Sequence, residues 1–206
     1  EGPEVCPYPF FVKLEILMFN AVKSMYRIFS FAFLFNFDFM FLFGVFMRKL
    51  AVIGVGNMAK AIIAGIQQSD VDVSEIVLFD RNTEQYSSLM AGRCGYSTAD
   101  SICHAVSAAD CVLLSVKPQN FPDVLEEISS LEDHQKKLYI TIAAGITVDT
   151  VSTTLGGARV IRVLPNLPMT VGKGVSVICR NNEVEANDFD FVCSMFESSG
   201  SNIIID

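Results

Sequence analysis

From Met47 onward the sequence predicts a doubly wound α/β fold, a mostly parallel sheet with helices on both faces. Three observations predict it. Short apolar runs such as Ile76–Phe79 and Cys111–Val116 suit strands buried on both faces, the mark of a parallel sheet. Segments with helical spacing alternate with those runs, which is the pattern of βαβ units. A glycine-containing loop, Gly54–Ala59, stands between the first strand and the first helix, where such folds place their ligand.

The elements follow in order. Leu50–Ile53 is a short apolar strand ending in glycine, and Ala59–Gln68 is a helix with Ile62, Ile63 and Ile66 on one face. Glu75–Asp80 is the second strand. Thr83–Ala91 is helical with Thr83 as a plausible N-cap. Cys111–Val116 is a strand, and Pro122–Ser130 a helix with proline in its first turn. Leu138–Ala143 and Arg159–Leu164 are two more strands. Gly174–Cys179 is a β-rich run, Val184–Ser198 a helix and Ser201–Ile205 a last strand. No internal repeat is evident.

The loop reads G-x-G-x-x-A through Gly54, Val55, Gly56, Asn57, Met58 and Ala59. Gly54 permits the strand-to-helix turn, Gly56 lets the backbone approach a pyrophosphate, and Ala59 lets the helix lie close on the strand. The helix start adds free N–H groups and a positive dipole end. The pattern alone is weak; after a strand, before a helix and at the head of a βαβ unit, it predicts a Rossmann-type site for NAD or NADP. Asp80 ends the second strand, 26 positions after Gly54. A carboxylate there suits the adenosine ribose hydroxyls and NAD, whereas Arg81 and Asn82 suit a 2′-phosphate and NADP. Both options stay open, beside the plain reading of a helix-capping Asp and a solvated Arg.

Ligands of open α/β sheets lie beyond the carboxyl ends of the strands. Three such ends are unusual: Val116-Lys117-Pro118-Gln119, Ala143-Ala144-Gly145 and Pro165-Asn166-Leu167-Pro168. Small residues let a flat ring lie close to the backbone. Lys117 adds a cation, and Asn166 both a donor and an acceptor. Ordinary turns and a solvated lysine explain each segment equally well when taken singly.

Composition bounds the rest. The chain has 206 residues and a net charge of −8, which disfavours nucleic acid as a partner. Its six cysteines, Cys6, Cys94, Cys103, Cys111, Cys179 and Cys193, form no C-x-x-C pair and read as thiols in a reducing, cytoplasmic compartment. Cys103-His104 has no second ligand pair at zinc spacing, so no metal is expected. Residues 1–46 are a different material and are expected to stand outside a nucleotide-binding domain of residues 47–206. Of 17 Phe, 12 precede Met47, eight of them alternating from Phe29 to Phe43. Ile28–Phe46 admits three readings: a membrane span of near-minimal length interrupted by Asn36 and Asp38, a secretory signal lacking a cleavage site, or low-complexity sequence outside the native fold. A membrane partner follows only from the first of these.

Together, Ile53-Gly54-Val55-Gly56-Asn57-Met58-Ala59, Val116-Lys117-Pro118-Gln119, Ile142-Ala143-Ala144-Gly145-Ile146 and Arg162-Val163-Leu164-Pro165-Asn166-Leu167-Pro168 resemble pyrroline-5-carboxylate reductase in order and spacing, from about Lys49 to Asp206. The resemblance implies an oxidoreductase of proline biosynthesis that reduces the C=N bond of the small cyclic imine 1-pyrroline-5-carboxylate to L-proline with NADPH or NADH. It implies a nucleotide along Gly54–Ala59, its adenosine end near Asp80 and Arg81. The nicotinamide end would lie near Val116, Lys117, Pro118, Ala143, Ala144 and Gly145, with Asn166 close to substrate. Orientation and proximity would supply most of the catalysis, with no catalytic side chain or metal. Two positions depart from the family: Leu167, where it usually has Thr, and Ile102, where it often has Asn. Members also continue into a helical domain that forms the homo-oligomer and much of the substrate pocket, whereas this sequence stops at Asp206. The alternatives are a non-catalytic NAD(P)-binding fragment, a hydroxyacid dehydrogenase of the same fold, and a membrane-tethered binding protein.

Overall fold

The computed structural model describes residues 47–69, 71–90 and 95–205. The expectations for the Phe-rich segment, Cys6, Cys94 and the end of the helix at Ala91 lie outside these residues. Eight strands form one sheet in the order β3-β2-β1-β4-β5-β6-β7-β8: β1 Arg48–Ile53, β2 Val73–Phe79, β3 Tyr96–Thr98, β4 Cys111–Leu114, β5 Leu138–Thr141, β6 Arg159–Leu164, β7 Gly174–Arg180 and β8 Gly200–Ile204. Every neighbouring pair is parallel except β6 with β7, so the expected doubly wound, mostly parallel sheet is what forms.

Helices α1 Asn57–Gln67, α2 Glu84–Met90, α3 Ile102–Ser107, α4 Phe121–Ser129, α5 Val148–Thr154 and α6 Ala186–Glu197 connect the strands. Each sheet face has its own apolar cluster. Leu50, Val52, Leu113, Ile140, Ile161 and Ile178 face α1 and α6 through Ile62, Ile63, Val192 and Phe196. Ala51, Ile53, Val112, Leu114, Tyr139 and Val160 face α3, α4 and α5 through Val106, Phe121, Val124 and Val151. Successive strand residues point to opposite faces, so a strand covered twice has to be apolar at every position. That requirement is why β1, β4 and β5 read as unbroken hydrophobic runs.

Three elements were not expected from the sequence. β3 has three residues, too few to show a period. α3 and α5 are short, and α5 (VDTVSTT) is rich in β-branched residues that favour strands. Capping and burial override those preferences: Ser101 Oγ accepts the His104 N–H at 3.1 Å, and Thr147 Oγ1 accepts the Thr150 N–H at 3.1 Å. At the start of α2 the side-chain acceptor is Asn82 Oδ1, which takes the Glu84 N–H at 3.1 Å, in place of the anticipated Thr83. β4 ends at Leu114, two residues earlier than expected, and this releases Ser115 and Val116 from the strand. At the opposite end of the sheet, Asp188 on α6 is buried between Arg48 of β1 (2.6 Å) and Arg159 of β6.

Candidate functional site

The strand order reverses between β1 and β4, because the chain winds outward from β1 to β2 and β3 on one side and from β4 onward on the other. The loops leaving these two neighbours therefore diverge to opposite faces and open a crevice at their carboxyl ends. Gly54 stands there with φ +89°, a conformation that side chains strain to adopt. A Cβ at Gly54 would also lie 2.9 Å from the Ser115 carbonyl oxygen. The turn is held by the Gly54 N–H donating to Phe79 O at 2.8 Å and the Ser115 N–H donating to Ile53 O at 2.9 Å. Gly56 is the N-cap of α1, with no side-chain cap.

A cavity of about 280 Å³ occupies the crevice. It is lined by Gly54, Gly56, Asp80, Arg81, Ser115, Val116, Lys117 and Asn120, with Ile53, Phe79, Ile102 and Val124 as apolar walls. Six of the residues singled out from the sequence thus meet in one place: Gly54, Gly56, Asp80, Arg81, Val116 and Lys117. A second hollow shares Phe79, Asp80 and Arg81 and runs past Thr83 and Tyr86 to Asp100 and His104. There the His104 ring nitrogen lies 2.8 Å from Asp100.

Other anticipated residues fall elsewhere. Val55 and Ala59 are fully buried beneath the loop, and Asn57 and Met58 open α1. Ala143, Ala144, Gly145 and Pro118 do not line the cavity. The β5 end still runs alongside, because the Ile142 N–H donates to Leu114 O at 3.3 Å. Gly145 turns with φ +76° and open space where a Cβ would stand. Asn166 is exposed, and its Oδ1 accepts the Val175 N–H at 2.9 Å, pinning the β6–β7 connection.

Ser115 and Asn120 were missed by the sequence reading. Ser115 was counted inside the strand, and Asn120 belongs to a one-turn helix, Pro118–Asn120, that leaves no periodic trace. Ile102, noted only as a departure from the family, is buried and walls the cavity with Val124. That wall offers an aromatic ring a flat apolar surface in place of a hydrogen bond.

The donor set and shape fit an adenine dinucleotide. A Cβ at Gly56 would meet nothing within 4 Å, so the cradle above the loop is clear for a phosphate to approach the backbone. The apolar walls suit a flat base, and Arg81 is an exposed cation at the rim. No cysteine is among the described residues that line the cavity, and burial holds the Cys111 thiol up at about 11.

Fold and crevice are those of a Rossmann-type dinucleotide-binding domain. Residues 49–145 match the family described as NADP oxidoreductase, coenzyme F420-dependent. The chain is 31% identical to pyrroline-5-carboxylate reductase of Corynebacterium melassecola over 75% of this chain and 58% of that protein. It is 32% identical to the Pseudomonas aeruginosa enzyme over 77% and 58%. A solved pyrroline-5-carboxylate reductase from Coxiella burnetii superposes with a TM-score of 0.71 at 27% identity, covering 78% of this chain and 59% of that one. The chain is thus similar to pyrroline-5-carboxylate reductases, the resemblance its motifs carry, and spans a little under three-fifths of the length of the relatives it matches.

Proposed function

We propose that this chain binds NADP or NAD through Gly54–Ala59 and serves hydride transfer to the cyclic imine 1-pyrroline-5-carboxylate, giving L-proline. The observation that carries the reading is the cavity at the β1/β4 switch point, where the glycine loop, Asp80, Arg81 and Lys117 converge. The backbone N–H groups at the start of α1 receive the pyrophosphate, and the adenosine end lies near Asp80 and Arg81. Val116-Lys117-Pro118 and Ala143-Ala144-Gly145 shelve the nicotinamide, which when bound supplies the hydride. A protonated imine is already an electrophile, so the protein's share is orientation and exclusion of water. Asn166, with Oδ1 engaged by Val175, offers its amide N–H groups to the substrate carboxylate.

Residues 47–206 are the functional domain in this reading, in a cytoplasmic setting consistent with the free thiols. No helix among the described residues is long and apolar enough to cross a membrane.

A second reading, nucleotide binding without turnover, is favoured by the cavity lining. Of the two cations among the described lining residues, Arg81 and Lys117, the reading assigns Arg81 to the adenosine end, which leaves Lys117 alone as a thin grip for a carboxylate substrate. Pyrroline-5-carboxylate-dependent oxidation of NADPH and NADH by the full chain, with nucleotide binding followed in the same sample, separates the two. Turnover establishes the reductase, binding alone establishes the second reading, and no binding overturns both.

A further inference from the structure

We infer that Asp80 is a positioning residue, a latch that sets the glycine loop for a dinucleotide through the Val55 N–H and the Asn82 N–H, and is not primarily a ligand of the adenosine ribose. The inference rests on the proposed dinucleotide reading, and its test separates the two.

The left-handed turn at Gly54 (φ +89°) presents the next peptide N–H to the end of β2. Val55 is fully buried, so its N–H needs a protein partner, and Asp80 Oδ2 accepts it at 2.7 Å. The other carboxylate oxygen, Oδ1, accepts the Asn82 N–H at 2.9 Å. Asn82 Oδ1 in turn accepts the Glu84 N–H. One chain of hydrogen bonds thus runs from the glycine loop through Asp80 to the first turn of α2. Lys60 Nζ, donating to Gln85 Oε1 at 3.0 Å, links α1 to α2 beside it.

The N-cap of α1 has no side-chain bond of its own. The loop that must hold its shape while a phosphate approaches is braced from outside by this carboxylate. Both oxygens carry protein N–H groups with the protein alone. A charged acceptor suits the task, because hydrogen bonds to an ionised carboxylate are the shorter and stronger kind. Sequence position identifies a carboxylate at the end of β2, and only the geometry shows that it faces the loop.

The test is backbone amide exchange at Val55 in the nucleotide-free full chain, read against the Leu113 amide in the core so that local and global opening are distinguished. Asp80→Ala is expected to speed exchange at Val55 by about tenfold or more with Leu113 unchanged, the size of one lost charge-assisted bond. Asp80→Glu, which keeps the charge but shifts it by a methylene, gives a smaller loss at the same amide. Asp80→Asn, whose Oδ1 can still accept from Val55, restores most of the protection.

The second arm compares ADP with 2′,3′-dideoxy-ADP. A latch predicts that Asp80→Ala weakens both by the same factor. Unchanged exchange at Val55, or a loss confined to the ligand with ribose hydroxyls, overturns the latch. If the unmutated chain binds neither nucleotide, the dinucleotide reading falls and the exchange arm alone decides the role of Asp80.

Discussion

The two ends of the sheet are built on different terms. Around β1, β4 and β5 both faces are covered, and side chains such as Leu113, Leu114 and Tyr139 are fully buried. From the carboxyl end of β6 across β7 and β8 only one face is. Ile178 and Ser176 point inward toward α6 and are buried, while Leu164, Val175 and Ile203 on the other face are 39%, 39% and 50% exposed. Register confirms that these belong to one surface: Leu164 and Ile203 both pair with Val177, and paired residues point to the same side of a sheet. Leu167 and Val171, on the turn that follows β6, are exposed as well. The cavity lies on the doubly covered part, where the backbone is clamped from above and below. The one-sided part leaves a contiguous apolar surface among the described residues, of the kind that marks an interaction face.

The largest effect that would sharpen this contrast is a deletion in the covered half. Leu113→Ala removes a fully buried side chain from between β4 and the α1 layer. It is expected to cost about 2–5 kcal/mol of stability, read as a fall in the midpoint of urea denaturation. A loss below about 1 kcal/mol would show that the covered half relaxes freely, and the contrast would fail.

How much of this was legible in the sequence depends on the same contrast. A strand covered twice must be apolar throughout, so β1, β4 and β5 announced themselves. The glycine loop did too, because Gly54 stands where φ is positive and a Cβ would strike the Ser115 carbonyl. β3, α3 and α5 did not, being too short to show a repeated pattern and decided by caps and burial. The site was legible as a set of strand ends. Ser115 and Asn120 escaped because what brings them in is where a strand stops. Asp80 was found, but its partner was not: nothing in the sequence tells whether a carboxylate at a strand end faces a ligand or its own loop. The one-sided face was equally hidden, since Val175-Ser176-Val177-Ile178 is a common strand pattern whichever side is dry.

A smaller effect of the covered half is pH-dependent. Cys111 is fully buried at the start of β4, and burial is the main reason its thiol is raised from 9.0 to about 11, against the opposing pull of Arg48. The folded state therefore keeps a proton that the unfolded chain releases. Stability from this group is full below pH 9.0, and falls as pH rises from there to about 11, because the unfolded state binds fewer protons across that window. The loss is on the order of 2 kcal/mol. Denaturation midpoints measured across the window should fall more steeply for the unmutated chain than for Cys111→Ala. Equal slopes would mean that the thiolate is accommodated where the structure leaves it dry.

The smallest effect belongs to the open face and cuts the other way. Ile203→Ser exchanges an exposed apolar side chain on β8 for a polar one. With half its surface already in water, the residue has little burial to lose, so stability should change by no more than about 0.5 kcal/mol. What should change is association. The unmutated chain is expected to show light-scattering mass rising with concentration as apolar faces meet, and Ile203→Ser should flatten that rise. A large loss of stability would mean that Ile203 is covered in solution by something the described residues do not include. An unaltered rise would move the associating surface elsewhere. Only a flattened rise at unchanged stability fits a sheet whose far end is folded from one side and open on the other.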